Sequence, residues 1–190
     1  MSLTDLAEVY APDQAAWRTW LRENHTSSPG VWLVYYKKES GEPSVTWDEA
    51  VEEALCYGWI DSKVNRVDER RYKQVFTPRK AGSVWSKVNK ERLERLIAAG
   101  KMTPAGQIKI DQAKADGSWT FLDSVENLEV PDDLMNALRE RDPALENFSA
   151  FPDGSKKQIL LWIKTAKKGE TRAKHIRDVV RSAARGERAR

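Results

Sequence analysis

Residues 55–89, LCYGWIDSKVNRVDERRYKQVFTPRKAGSVWSKVN, decide the fold. Gly58 reads as the C′ residue of a helix that ends just before it, because glycine takes the left-handed backbone a helix exit needs. Residues 59–67 and 71–77 then read as two strands of an antiparallel hairpin turned at Asp68–Arg70. Pro78 lacks the amide a sheet ladder requires and ends the pairing. On the first strand Trp59, Asp61, Lys63 and Asn65 share one face by strict alternation. On the second, Tyr72, Gln74 and Phe76 oppose Lys73 and Val75. A turn at 79–82 leads to Ser86, a suitable N-cap for a helix reaching about Ala99, with Val88, Leu93, Leu96 and Ile97 as its apolar face. The stretch also holds the only cysteine and two of the eight tryptophans.

Working outward, Thr46 and Glu49 form a capping box, in which each side chain bonds the other's backbone amide. The helix it starts places Trp47, Ala50, Val51, Ala54 and Leu55 at helical spacing, a stripe expected to be buried. Residues 31–38, VWLVYYKK, are apolar on both alternating faces up to Tyr36, as in a central strand covered on both sides. Residues 39–43 read as a loop. An earlier helix is expected over 13–24, with Ala16, Trp17, Trp20 and Leu21 on one face. After the central stretch, Thr103 and Pro104 open a helix that stops before Gly117.

Residues 117–131 show no long period and read as a connection. Beyond them the pattern is helical throughout. Leu134 and Leu138 mark one helix and Asp142-Pro143 opens another. Ser155 and Gln158 suggest a second capping box, with Ile159, Trp162, Ile163 and Ala166 following and Gly169 as the stop. A last helix over 172–185 turns Ala173, Ile176, Val180, Ala183 and Ala184 inward and Arg172, Arg177, Arg181 and Arg185 largely outward. The fold class expected is α+β: a small, mainly antiparallel sheet of about three strands packed with helices, then an all-helical C-terminal region. The division expected is 1–120 and 121–190, with the second part docked on the first. Residues 151–190 carry 12 Lys/Arg against 4 Asp/Glu, a net of +8, so residues 1–150 sum to −5 of the total +3. That opposition favours docking.

The composition, 40% hydrophobic and 32% charged, is that of a water-soluble globular chain, and no apolar run approaches the roughly 20 residues of a membrane span. MSLTDLAEVYAPD has neither a basic n-region nor an apolar h-region, so no signal peptide and a cytoplasmic location are expected. One cysteine allows no internal disulfide. Two distant histidines offer no metal-ligand spacing, and neither a metal nor a cofactor is expected.

Cys56 falls in the last turn of its helix, where the dipole disfavours a thiolate, so it reads as structural. Asp61, beside Trp59 and Lys63, could hold a cationic or hydroxyl-bearing ligand or act as a base. A plain Asp–Lys pair on the strand is the alternative. The turn after Pro78 supplies Arg79, Lys80, Ser83 and Ser86 at a helix start, the makings of an anion site, against the alternative of a solvated basic loop. It lacks the glycine spacing of a phosphate-binding P-loop. With residue indices of paired positions summing to about 138, Trp59 and Asp61 reach the level of Thr77 and Pro78. A cleft lined by Trp59, Asp61, Arg79, Lys80, Ser83, Trp85, Ser86 and Asn89 follows, suited to a small polar or anionic ligand. An Arg79→Ala change there is expected to cost about 1 kcal/mol or less, as at a surface.

The segments TWDEAVEEALCYGWID, GWIDSKVNRVDERRYKQVFTPRKAGSVWSKVNKERLERL and MTPAGQIKIDQAKADGSW together resemble the YdeI/OmpD-associated family of bacterial proteins. The tail FPDGSKKQILLWIKTAKKGETRAKHIRDVVRSAARGER resembles that family's helical bacteriocin-protection, or OmdA-type, region. The resemblance implies a stress or bacteriocin-protection role and no established reaction. Three functions are then open: a ligand-binding protection protein, which can also engage a protein partner; an enzyme using the same cleft with Asp61 as acid or base; and a nucleic-acid binder acting through the basic C-terminal helices. The last is disfavoured because the tail's arginines are not interleaved with aromatics.

Overall fold

A computed structural model describes residues 5–189; the first four residues of the segment read for a signal peptide lie outside it. Two compact units emerge, Met1–Thr120 and Phe121–Arg190.

In the first unit the elements are β1 (Glu8–Tyr10), α1 (Gln14–Asn24), β2 (Val31–Tyr36), α2 (Trp47–Cys56), β3 (Trp59–Arg66), β4 (Arg71–Pro78), α3 (Lys87–Ala98) and α4 (Pro104–Asp116). A short 3-10 turn, Lys38–Ser40, occupies part of the expected loop. Among the described residues the sheet has four strands, in the order β1-β2-β4-β3, one more than the roughly three expected. The fourth, β1, pairs in parallel with β2. At three residues it is too short to show alternation, and its partner lies far along the chain. β2 is central, as its two-sided hydrophobicity requires, and Val31 through Tyr35 are all buried.

One face of the sheet, carrying Val31, Leu33, Tyr35, Phe76 and Trp59, forms the core with residues of α1 and α2. Trp17 ties these layers together. Its ring meets Phe76 edge-on and its indole N–H donates to the Ala50 carbonyl at 3.0 Å. Burying a side chain of this size contributes about 3 kcal/mol. The capping box at Thr46 is complete: the Thr46 amide donates to Glu49 Oε2 at 2.9 Å and the Glu49 amide to Thr46 Oγ1 at 3.3 Å. Gly58 has φ 72°, as the helix exit needs.

The hairpin carries an irregularity that strict alternation cannot foresee. Trp59 pairs with Pro78 and Asp61 with Phe76, but Val64 pairs with Gln74 and Asn65 with Lys73, with a register shift between Asp61 and Val64. The extra residue inverts the faces beyond it. Trp59 and Asp61 therefore share a face as expected, whereas Asn65 moves to the opposite one, and the expected run of four on one face is broken.

Two helical stripes of this unit also differ from expectation. Trp47 is 43% exposed instead of buried, with Arg92 over its ring at 5.0 Å. Val88 and Ile97 of α3 are exposed; Leu93 and Leu96 are buried together with Arg92, so the inward stripe is narrower than the apolar residues suggest.

In the second unit α5 (Asp123–Glu126), α6 (Asp132–Arg139), α7 (Ala144–Ala150), α8 (Asp153–Lys164) and α9 (Gly169–Ala183) pack around a core of their own that includes Leu134, Leu138, Phe148, Ile159, Ile163, Ile176 and Val180. The second capping box does not form. α8 begins two residues before Ser155, behind Pro152, and no side chain caps it. Gly169 starts α9 instead of stopping α8, which has already ended at Lys164. On α9, Ala173 is exposed and Val179 is buried, and Arg172 turns to Asp133. Among the described residues no helix is long and apolar enough to cross a membrane.

Candidate functional site

β4 ends at Pro78, and the next amide, that of Arg79, donates to the Gly58 carbonyl at 2.9 Å. The chain is thereby held at the end of the hairpin while it turns. Gly82, with φ 72°, makes that turn, closed by Ser83 N–H to the Lys80 carbonyl at 3.2 Å. The Gly82 amide donates to Asp116 Oδ2 at 3.0 Å, and the same carboxylate accepts from the Ser118 amide at 2.9 Å. The end of α4 thus anchors the turn.

This construction carries Arg79 inward. The side chain is 2% exposed and its guanidinium lies 3.5 Å from the centre of the Trp85 ring. Trp85 is itself buried and meets Trp119 at 5.4 Å. Arg79 Nη1 donates to the Val84 carbonyl at 3.3 Å, while Nε and Nη2 have no hydrogen-bond partner among the described residues. Burial pushes the guanidinium down to about 10, and the charge of Asp61 opposes that shift. A buried cation with two idle donors is costly, and the usual remedies are a carboxylate, a water or a bound anion. Beside it lies a cavity of about 10 Å³, lined by Arg79, Lys80, Ser83, Trp85, Lys109 and Gln112 among others. That volume holds roughly one water.

Arg79, Lys80, Ser83 and Trp85 are therefore brought together, as the sequence suggested. The other four residues of the expected cleft lie elsewhere. Trp59 is buried in the core, donates to the His25 carbonyl at 3.2 Å and meets Trp20 edge-on. Ser86 caps α3, its hydroxyl accepting from the Asn89 amide at 3.3 Å. Asn89 Oδ1 accepts from Arg92 Nη1 at 3.2 Å. Asp61 is half-buried, and its Oδ2 accepts from Gln74 Nε2 at 2.7 Å and from Trp47 Nε1 at 3.4 Å. Its partners are thus Gln74 and Trp47, since the bulge follows Asp61 directly and breaks the alternation that would set Lys63 beside it. The carboxylate still acts at a distance, raising the affinity of Arg79 for its proton.

Two consequences correct the sequence reading. Arg79 is not a surface residue, so an Arg79→Ala change removes a buried cation and opens a void over Trp85. In addition, Lys109, Gln112 and Asp116 of α4 complete the site. They gave little signal, because the apolar residues of α4 mark no single face. The stop signal at Gly117 hinted only at where α4 ends.

Cys56, by contrast, is structural in its surroundings. It is fully buried, and burial first and the Glu53 carboxylate second push its thiol up to about 11.

Comparison with known proteins adds the family. Residues 9–109, more than half of the 190, match the family described as Domain of unknown function (DUF8412). Residues 127–186 match Bacteriocin-protection, YdeI or OmpD-Associated. No curated protein and no solved structure matches the chain. The tail's resemblance to the OmdA-type region thus rests on the second match, while the hairpin and its flanking helices fall in the first. The chain belongs to the family described as Domain of unknown function (DUF8412) and carries after it a Bacteriocin-protection, YdeI or OmpD-Associated domain.

Proposed function

We propose that this is a bacteriocin-protection-type binding protein whose N-terminal unit takes up a single small oxyanion at Arg79. The observation that carries the reading is the guanidinium itself: 2% exposed, 3.5 Å over the centre of the Trp85 ring, with Nε and Nη2 idle among the described residues beside a cavity. Parallel donors on a planar fork match the oxygens of a carboxylate, phosphate or sulfate. Lys80 and Lys109 at the cavity add positive charge. The present volume suits a water, so an oxyanion enters only as the turn at 80–83 swings outward. Such a movement breaks the Ser83–Lys80 backbone bond and the Gly82–Asp116 bond.

Titration calorimetry of the full chain with inorganic phosphate and with sulfate tests this. One saturable site, lost in Arg79→Met, is expected. Absence of binding at millimolar anion, or binding that survives the substitution, overturns the reading. Binding of a nucleic acid in preference to either anion, with a steep dependence on salt, would favour the basic C-terminal helices instead.

A further inference from the structure

The C-terminal unit holds a cavity of about 450 Å³, within the range of small-molecule sites. Its floor is apolar: Val125, Leu160 and Ile163 are buried there. Its rim carries two cations, Lys164 and Arg172, and two carboxylates, Glu129 and Asp132.

These charges are not equivalent. Arg172 is committed, with Nε and Nη2 donating to the two oxygens of Asp133 at 2.7 and 2.9 Å and Nη1 donating to the Ile163 carbonyl at 3.3 Å. Lys164 has neutral partners: Nζ donates to Ser124 Oγ at 2.6 Å and lies 5.0 Å from the Phe121 ring. An ammonium has three donors, so it retains capacity for an anion. Glu129 likewise has a neutral partner, its Oε1 accepting from Asn127 Nδ2 at 3.2 Å. One positive and one negative group, each bonded among the described residues to neutral groups, therefore stand over an apolar floor.

Leu128, immediately before Glu129, has φ 59°, the one positive value at a non-glycine position among the described residues. A leucine rarely adopts that region, and such strain concentrates at functional sites. The turn it makes is closed by the Glu129 amide donating to the Ser124 carbonyl at 2.8 Å. With Arg172 offset by Asp133, the remaining rim charges are one cation against Glu129 and Asp132. A bare carboxylate ligand would meet a negative excess, so a ligand that also carries an ammonium fits better.

We infer that this cavity binds a free α-amino acid with an aliphatic side chain. Lys164 takes its carboxylate, Glu129 its ammonium, and Val125, Leu160 and Ile163 its side chain.

Calorimetry of the full chain with L-leucine, isocaproate and leucinamide is the test. Isocaproate lacks the ammonium and leucinamide lacks the carboxylate. Leucine should bind saturably, and each analogue about tenfold or more weakly, the loss of one charge-assisted hydrogen-bonded contact. Glu129→Gln should weaken leucine about tenfold, and isocaproate should bind no more weakly than before, since the substitution removes a like charge. Glu129 is exposed, so this variant should fold, and circular dichroism checks that it does. Lys164→Met should weaken leucine and spare leucinamide. No binding of leucine at millimolar concentration overturns the inference, as does isocaproate binding as tightly as leucine. Arg79→Met should leave leucine binding unchanged, which separates this site from the anion site.

Discussion

Replacing Arg79 by methionine isolates what the buried charge does. Burial penalises the charged form and pushes the guanidinium down to about 10. At 1.36 kcal/mol per tenfold change in proton affinity, that depression is a penalty of roughly 3 kcal/mol. Against it stand a desolvated cation–π contact with Trp85, worth about 2 kcal/mol, and the hydrogen bond to Val84, worth about 1 kcal/mol. The terms nearly cancel. Methionine keeps an unbranched chain and favourable contact with the indole. Arg79→Met should therefore change stability by no more than about 1 kcal/mol, whereas Arg79→Ala, which also opens a void, should cost about 2 kcal/mol more. With phosphate at a hundred times its dissociation constant, the wild-type protein should gain about 2.7 kcal/mol, or about 8 °C in Tm at roughly 3 °C per kcal/mol. The methionine variant should gain nothing. Near-UV circular dichroism melts read this in the right unit, because all the tryptophans except Trp162 lie in residues 1–120. A loss well above 2 kcal/mol in Arg79→Met would show the guanidinium to be a structural tie, and the reasoning from idle donors would fail.

Cys56 should be inert: its thiol, pushed up to about 11, is almost wholly protonated at neutral pH, so native protein should label far more slowly than free cysteine with a thiol reagent. Gly106→Ala should destabilise the first unit by about 2 kcal/mol or more in urea melts, because a Cβ there would run into the Cys56 carbonyl, which Thr103 Oγ1 already holds at 2.6 Å. In the second unit the Arg172 guanidinium, through its hydrogen bonds, holds the Asp133 carboxyl below its ordinary 3.8. A depressed carboxylate contributes stability above that value and loses it as pH falls through the folded value. Asp133→Asn should therefore cost about 1 kcal/mol at neutral pH and flatten the acid limb of a stability–pH profile.

The parts of the fold legible in the sequence are those with local causes. The Thr46 box, the Gly58 exit, the hairpin turn and the stop at Pro78 each depend on neighbours a few residues away. The indices of paired residues sum to 137 before the bulge and 138 after it, close to the expected register. What escaped depends on distant partners. β1 exists only because β2 lies beside it. The bulge after Asp61 leaves no compositional mark, yet it breaks the face that Lys63 and Asn65 were expected to share with Asp61. Ser155 and Gln158 have the right spacing for a box, but Pro152 starts the helix earlier and places Ser155 inside the first turn. At the candidate site, the turn after Pro78 announced its basic residues, while the contribution of α4 required the tertiary fold. The arginines of the basic tail read as largely outward, and Arg177, Arg181 and Arg185 are exposed, while Arg172 is partly buried against Asp133.

The central claim is that the Arg79 guanidinium keeps two donors available for an anion. Arginine side-chain 15N–1H correlation spectra of the full chain, recorded during a phosphate titration, address it most directly. The account predicts a protected Arg79 Nε–H resonance, assigned by its absence in Arg79→Met, that shifts saturably with phosphate while the committed Arg172 resonance stays in place. An Arg79 Nε–H signal that does not move at saturating phosphate, or that moves no more than those of exposed arginines, would contradict it.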